Sequence, residues 1–410
     1  MTVQDLHTFL HIHILKSKKY NKNNILQLHV TDLKSVGRNS VPVRVRPPAH
    51  KLAHDQQSGL AQRKLGRLRP WAWGPDSVTL LAPLFANVTG DVRAVDRCFN
   101  ERIALLYSKA WSAALLRRFL SQRPKQLWLC DEHEAGVTVH TLEDALAAIA
   151  TIRARGHHKV VVKESLGVAG QNAIRLWEPE ITDAQRRWLT TAAENQRPLV
   201  VEPWLERLKD FSVQLEMTRE GLQLIGYTGL INDHRGQFQA NWAAPNHARR
   251  IPAAVTALLL EPADISSQLQ RLYTDLFALL ETELRAVDYL GPLGIDAFVY
   301  RAASGQVRLK PIVEINPRYT MGRLTLELMK HAAPGRHGLF RLHTRATARA
   351  EGGEDFLTFA RLLHERFPLE LEGEPVPRIS AGAVCLNDPA QAQVCLATFQ
   401  VSRELPWAGA

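Results

Sequence analysis

The run Val-Glu-Ile-Asn-Pro-Arg that begins at residue 313 constrains the fold and chemistry of this chain more than any other feature. In a strand, residues two apart point to the same face, so Glu314 and Asn316 present two oxygen ligands side by side. Asp296, eighteen residues earlier, can add a third oxygen from the neighbouring strand of a hairpin. Three hard oxygens suit Mg²⁺, which fills its other positions with water and substrate phosphates. Pro317 lacks a backbone N–H and ends the strand, which leaves the forked guanidinium of Arg318 at the mouth of the site.

An upstream segment favours this metal site over the alternative, a hairpin edge with solvated acids. The β-branched run His158–Lys163 predicts a strand with Lys163 at its end, followed by a loop of small residues. Gly167 and Gly170 would let backbone N–H groups approach phosphate oxygens that a side chain would keep away. A Gly-x-x-Gly turn by itself is more typical of a hairpin loop, so this motif is informative only in its order with the others.

A further strand is predicted at Pro198–Leu205, and it carries one acid, Glu202. Backbone N–H and C=O groups that are free at the edge of a strand can bind the rim of an adenine ring. An acid slightly further along the chain, Asp210, can accept hydrogen bonds from ribose hydroxyls.

The order of these segments resembles the ATP-grasp superfamily, and most of all its carboxylate–amine ligases, such as D-alanine–D-alanine ligase and biotin carboxylase. A lysine strand with a glycine loop is followed by an acidic hinge, an aspartate strand and a Glu-x-Asn-x-Arg strand. The Ser-Lys pair at residue 108 resembles the superfamily's Asp/Asn-Lys helix before the nucleotide fold. The resemblance spans about residues 105 to 330, a little over half of the chain.

The resemblance implies an ATP site and a role for each motif residue. Lys109 and Lys163 would contact the phosphates, Glu202 would accept from the adenine amino group, and Asp210 would take the ribose position. The residues implied at the nucleotide are Lys109, Lys163, Gly167, Gly170, Glu202, Pro203, Leu205 and Asp210.

The resemblance also implies a metal site and a catalytic arginine. Asp296, Glu314 and Asn316 would ligate Mg²⁺ or Mn²⁺, and Arg318 would stabilise the transferring phosphoryl group or an acyl-phosphate. Residue 294 is glycine, where the D-alanine ligases carry an arginine that helps to orient the substrate. The acceptor subsite of those enzymes is therefore not transferred to this chain.

We expect an α+β protein with an ATP-grasp fold, in which two α+β subdomains clamp MgATP. Residues 1–68 are expected to be a basic N-terminal extension that is disordered or mis-annotated, and residues 69–104 a reduced segment before the ATP-grasp domain. The ATP-grasp domain is expected at 105–340, followed by a small C-terminal accessory subdomain at 341–410. The expected reaction is ATP-dependent activation of a carboxylate as an acyl-phosphate, followed by attack of an amine or similar nucleophile. An ATP-grasp kinase or phosphotransferase, or a non-catalytic nucleotide-binding module, is the alternative, because a fold does not fix the acceptor.

The net charge of +10 lies almost entirely at the N-terminus. Residues 1–67 hold twelve Lys/Arg and three acids, a net charge of +9, which leaves +1 for the other 343 residues. This segment shows no helical or strand period, so disorder is favoured over a nucleic-acid-binding arm. The run Ser40–Pro48 reads like a translated T-arm of a transfer RNA gene. We therefore expect that residues 1–60 come from a start codon placed too far upstream.

Composition indicates an enzyme of the cytoplasm. The four cysteines have no Cys-x-x-Cys spacing, which is typical of buried thiols in a reducing compartment. No run approaches the ~18 apolar residues of a membrane span. The expected partners are small-molecule carboxylate and amine substrates, without a membrane or nucleic acid, and the oligomeric state is left open. Amphipathic helices are predicted from Leu142, capped by Thr141, and between Ile265 and Val287.

Overall fold

The computed structural model describes residues 25–26, 64–89, 95–166, 172–177, 179–194, 198–233, 238–259 and 265–404. Most of the predicted N-terminal extension lies outside these ranges, as do Gly167 and Gly170. The chain divides into two compact units, Met1–Ala104 with Val287–Tyr289, and Leu105–Ala286 with Leu290–Ala410. Within the described ranges, no helix is both long enough and apolar enough to cross a membrane.

Helices and strands alternate along the described residues, which confirms the predicted α+β class. The helices are α1 (Pro75–Leu81), α2 (Val95–Cys98), α3 (Glu101–Leu106), α4 (Lys109–Ser121), α5 (Leu142–Ala154), α6 (Asp183–Glu194), α7 (Ala253–Thr256), α8 (Ile265–Ala286), α9 (Met321–Leu328), α10 (Arg345–Ala350) and α11 (Phe356–Arg366). The strands are β1 (Ile25–Leu26), β2 (Arg67–Leu68), β3 (Val137–Val139), β4 (Lys159–Glu164), β5 (Ala173–Trp177), β6 (Leu199–Pro203), β7 (Glu206–Met217), β8 (Leu222–Asn232), β9 (Phe238–Ala243), β10 (Gly291–Arg301), β11 (Val307–Asn316), β12 (His337–Thr344), β13 (Glu370–Glu372), β14 (Arg378–Cys385) and β15 (Cys395–Ser402). Short 3-10 turns span Ala82–Asn87, Glu132–Glu134 and Met329–His331.

The described part of the first unit has a small apolar core. Its buried members, against which Trp73 and Phe85 pack, are Leu65, Leu68, Leu81 and Leu84. Helix α1 begins at Pro75, whose missing N–H costs nothing in the first turn of a helix.

A four-stranded antiparallel sheet, in the order β3-β6-β4-β5, forms one layer of the second unit. Because side chains alternate along a strand, every second residue of β4 and β6 packs against α5 and α6 in one apolar core. The residues of this core on the two strands are Val160, Val162, Leu199 and Val201. The opposite face carries Lys163 and Glu202, since Lys163 lies opposite Val200 and Glu202 opposite Val161.

A nine-stranded sheet forms the other layer, in the order β11-β10-β7-β8-β9-β12-β15-β14-β13. Strands β10 and β11 form the predicted hairpin, with Asp296 opposite Glu314 and Gly294 opposite Asn316. The register of this pair shifts between Asp296 and Phe298, which is a local bulge next to the predicted metal ligands.

The predicted cap of α5 is confirmed, and a serine caps α4 in a similar way. The Thr141 hydroxyl accepts from the Asp144 N–H at 3.0 Å at the start of α5. The Ser108 hydroxyl does the same at the start of α4, where it accepts from Ala110 at 3.1 Å. Each cap satisfies a backbone donor that the first turn of a helix leaves without a partner.

The C-terminal region shares a sheet with the residues that precede it. Strand β12 crosses the predicted boundary at residue 340, and β14 and β15 continue the nine-stranded sheet. Helix α11 packs on this part of the sheet through Phe356, Phe359 and Leu363, in a core that also buries Cys385.

Candidate active site

The three predicted metal ligands come together on one face of the β10–β11 hairpin. The Asn316 amide donates from Nδ2 to Asp296 Oδ2 at 3.1 Å, and Glu314 lies opposite Asp296 in the register. Arg318 follows at the strand end, where its guanidinium donates to Asn316 Oδ1 at 2.9 Å. The period of two and the proline stop therefore predicted the arrangement of these side chains, while their role toward a metal stays a prediction.

The two carboxylates of the hairpin are close enough to affect each other's charge. Burial, reinforced by the neighbouring Glu314 carboxylate, raises the pKa of Asp296 to about 6, although Ser212 and Arg318 oppose the shift. The Lys109 ammonium lies 3.0 Å from Glu314 Oε1 and compensates part of the negative charge of the two carboxylates. The described residues contain no group of three or more His, Cys, Asp or Glu side chains placed to hold a metal. The set at the hairpin is of a different composition, since it has two carboxylates, Asp296 and Glu314, and the amide oxygen of Asn316. These are hard donors, which fit Mg²⁺ or Mn²⁺ with water and phosphate ligands.

A second charged group lies on the four-stranded sheet. The Lys163 ammonium donates to Glu202 Oε1, so the structure pairs two predicted site residues that are 39 positions apart. The other oxygen of Glu202, Oε2, accepts from Lys310 at 2.9 Å. Lys310 was not predicted from the sequence.

Lys310 joins the two sheets. It belongs to β11 of the nine-stranded sheet and reaches Glu202 on β6 of the four-stranded sheet. Its ammonium also donates to the Glu134 carbonyl at 2.8 Å, and its side chain is only 2% exposed. A buried ammonium is stable only when it is paired in this way.

The charges of this group control each other's protonation. Burial alone would raise the pKa of Glu202, but Lys163 and Lys310 outweigh it and hold that pKa well below its ordinary value. Burial lowers the pKa of Lys163, and Lys310 adds to this effect, while Glu202 opposes it.

Helix α4 connects the two charged groups. The backbone N–H of Lys109 donates to the Ser165 carbonyl at 2.8 Å, just beyond β4. Further along α4, the Ser112 hydroxyl accepts from the Ile315 N–H at 3.0 Å, on β11. The helix start is therefore fixed to both sheets, which explains how Lys109 reaches Glu314.

The predicted adenine and ribose residues lie along the same strands. Pro203 ends β6 opposite Val160, and Leu205 follows it as a buried side chain. Asp210 of β7 lies opposite Phe298 and accepts from Arg207 Nη1 at 3.1 Å. Their contacts with a nucleotide stay predictions.

A buried polar row on β7, beside Asp296 of the β10–β11 hairpin, was not predicted from the sequence. Gln214 donates from Nε2 to the Ser212 hydroxyl at 2.8 Å and accepts at Oε1 from the Thr320 hydroxyl at 2.5 Å. Ser212 in turn donates to the Ile295 carbonyl at 3.2 Å, beside Asp296. The alternation of polar residues at 210, 212 and 214 was the available signal. The hydrogen bond from Ser212 to the Ile295 carbonyl therefore ties this row to the backbone next to Asp296.

Comparisons with known proteins found similarity only among solved structures. No protein-family model matches the chain, and no curated protein matches it either. The chain is similar to N5-carboxyaminoimidazole synthetase from Staphylococcus aureus complexed with ADP, at 10% identity and a TM-score of 0.45, over 78% of this chain and 79% of that chain. It is also similar to an ADP complex of N5-carboxyaminoimidazole ribonucleotide synthetase, at 13% identity and a TM-score of 0.48, over 82% of each chain.

A third similar structure is the biotin carboxylase–ATP complex from Campylobacter jejuni, at 14% identity and a TM-score of 0.46, over 82% of this chain and 70% of that chain. Identities and TM-scores at this level do not assign an activity. The function is therefore inferred below from the residues of the site and their contacts.

Proposed function

We propose that this chain is an ATP-dependent ligase that activates a carboxylate as an acyl-phosphate, which an amine or similar nucleophile then attacks. The observation that carries the proposal is the group formed by Asp296, Glu314, Asn316 and Arg318, with Lys109 against Glu314. This group would combine ligands for a divalent cation with positively charged donors for phosphate oxygens, which is what phosphoryl transfer requires.

The described residues support distinct roles in this reaction. Asp296, Glu314 and Asn316 would hold Mg²⁺, which when bound neutralises phosphate charge. Lys109, which contacts Glu314, would donate to the phosphate oxygens. Lys163 would neutralise charge on the nucleotide phosphates.

Arg318 would act where the acyl-phosphate forms. A carboxylate oxygen attacks the γ-phosphorus and the bond to the β–γ bridging oxygen breaks, so that ADP leaves. The amine then attacks the acyl carbon, and phosphate leaves with the original carboxylate oxygen. The guanidinium matches the geometry of the oxyanions in both steps.

The fate of one oxygen atom separates this proposal from the kinase alternative. Attack by a carboxylate carries its oxygen into inorganic phosphate, whereas a kinase leaves the phosphoryl group on the acceptor. Incubation of MgATP with pooled amino acids, short peptides and small carboxylic acids, followed by a phosphate assay, would identify an acceptor. The ¹⁸O-labelled form of that acceptor should then give labelled phosphate.

Two arginine variants complete the test. Arg318→Ala should abolish phosphate release, because the charge at the acyl-phosphate is lost. Arg301→Ala is the matched control on the same sheet, since the Arg301 side chain is 48% exposed and its ion pair with Glu206 is long, at 3.9 Å. Unlabelled phosphate, or a stable phosphorylated product, would contradict the ligase proposal.

A further inference from the structure

The buried group of Lys163, Glu202 and Lys310 carries one surplus positive charge. Two ammonium groups share a single carboxylate, and the three side chains are only 16%, 8% and 2% exposed. A buried charge that is not compensated destabilises the folded state. One lysine would be enough to neutralise Glu202, so the second positive charge suits the group to an anionic ligand.

Lys310 is the fixed member of this group. Besides Glu202, it donates to the Glu134 carbonyl at 2.8 Å. The side chain of Glu134 is itself held, because its Oε2 accepts from the Tyr300 hydroxyl at 2.5 Å and from the Asp131 N–H at 2.8 Å. Lys310 therefore has a second acceptor, the Glu134 carbonyl, that does not depend on the position of Lys163.

Lys163 is the member that can leave. It is the more exposed of the two lysines, and it lies next to the last residue of β4. When Lys163 moves away, Glu202 keeps its bond from Lys310 and is not left as a buried, uncompensated carboxylate.

We propose that Lys310 is a positioning residue that compensates Glu202, so that Lys163 is available to an anionic ligand. This inference rests on the proposed function, in which the ligand anion is the triphosphate of ATP. Without Lys310, transfer of Lys163 to a phosphate would leave Glu202 uncompensated, and the cost of doing so would reduce the affinity for the phosphates. The affinity for the nucleoside part would be unaffected, because Lys163 would remain with Glu202.

The test compares a charged ligand with an uncharged one that shares its base. Titration calorimetry with MgATP and with adenosine would be carried out on the wild type, Lys310→Met and Lys159→Met. Lys310→Met should weaken MgATP binding by about tenfold or more and adenosine binding by less than about twofold. Lys159→Met is the matched control, since Lys159 is an exposed lysine on the same strand as Lys163, and both of its affinities should equal those of the wild type.

The outcomes separate this inference from the function on which it rests. Equal weakening for both ligands would mean that Lys310 is only structural, and unchanged MgATP binding would also overturn its role. No MgATP binding by the wild type would overturn the proposed function and this inference together.

A second measurement needs no folded variant. In the wild type, MgATP should protect Lys163 from reductive methylation, while Lys310 should stay unreactive with and without nucleotide. Methylation of Lys310 that MgATP suppresses would show direct contact with the nucleotide and would contradict the proposal, as would a Lys163 that MgATP does not protect.

Discussion

Removal of the Glu202 charge should destabilise the second unit far more than removal of an exposed charge nearby. In Glu202→Gln, the ammonium groups of Lys163 and Lys310 lose the carboxylate that both contact and are left facing each other. The loss of one partner from a buried ion pair costs about 3 to 5 kcal/mol. All three side chains are at most 16% exposed, so solvent screening reduces this figure little, and we expect a decrease in the free energy of unfolding within that range.

The measurement is urea unfolding followed by circular dichroism, with Glu206→Gln as the control. The Glu206 side chain is 69% exposed and lies 3.9 Å from Arg301, so its loss should cost less than about 1 kcal/mol. The double variant Glu202→Gln/Lys310→Met removes one charge of each sign and should recover part of the stability. A decrease for Glu202→Gln no larger than that for Glu206→Gln would refute the buried charge group.

Two further predictions concern stability away from the site. Burial lowers the pKa of His343 from the ordinary value of 6.5 to about 4. Between these two pH values the unfolded chain binds more protons than the folded protein, so the free energy of unfolding falls as the pH falls. Between pH 7 and pH 5 the protonation of His343 should lower the free energy of unfolding by about 2 kcal/mol. Chemical unfolding at both pH values should show that His343→Leu lacks this decrease. An equal decrease in the variant would contradict the assignment to His343. In Gly229→Ala, the added Cβ would lie 2.0 Å from Trp242 Cε2 in a buried contact, so unfolding in urea should show a loss of about 1 to 3 kcal/mol, and an unchanged midpoint would refute the packing.

The β10–β11 hairpin could be predicted from the sequence because its determinants are local. The period of two places Glu314 and Asn316 on one face, and Pro317 ends the strand whatever the rest of the chain does. Asp296 was predicted for the same reason, since a hairpin brings its two strands together. The resemblance named Lys163 and Glu202 as separate contacts of the nucleotide, and their ion pair was not predicted.

Lys310 could not be predicted because its role depends on contacts between the two sheets. In the sequence it stands between Leu309 and Pro311, as an ordinary polar residue of a strand. Its buried ammonium contacts the Glu134 carbonyl and Glu202, which belong to other segments of the chain, and such contacts leave no local signal. The continuation of the large sheet through β12, β15 and β14 was missed for the same reason, since those pairings join distant segments.

We expect the charged groups of the second unit to form a site for ATP with a divalent cation. The most direct test of this expectation is thermal unfolding of the wild type and Glu314→Gln in ATP with Mg²⁺ and in ATP with EDTA. At a hundredfold excess over the dissociation constant, MgATP should stabilise the wild type by about 2.7 kcal/mol. EDTA, or the loss of the Glu314 charge, should remove most of this gain, while Glu206→Gln should retain it. No stabilisation of folded wild-type protein by millimolar MgATP, or the same stabilisation in EDTA, would contradict the claim.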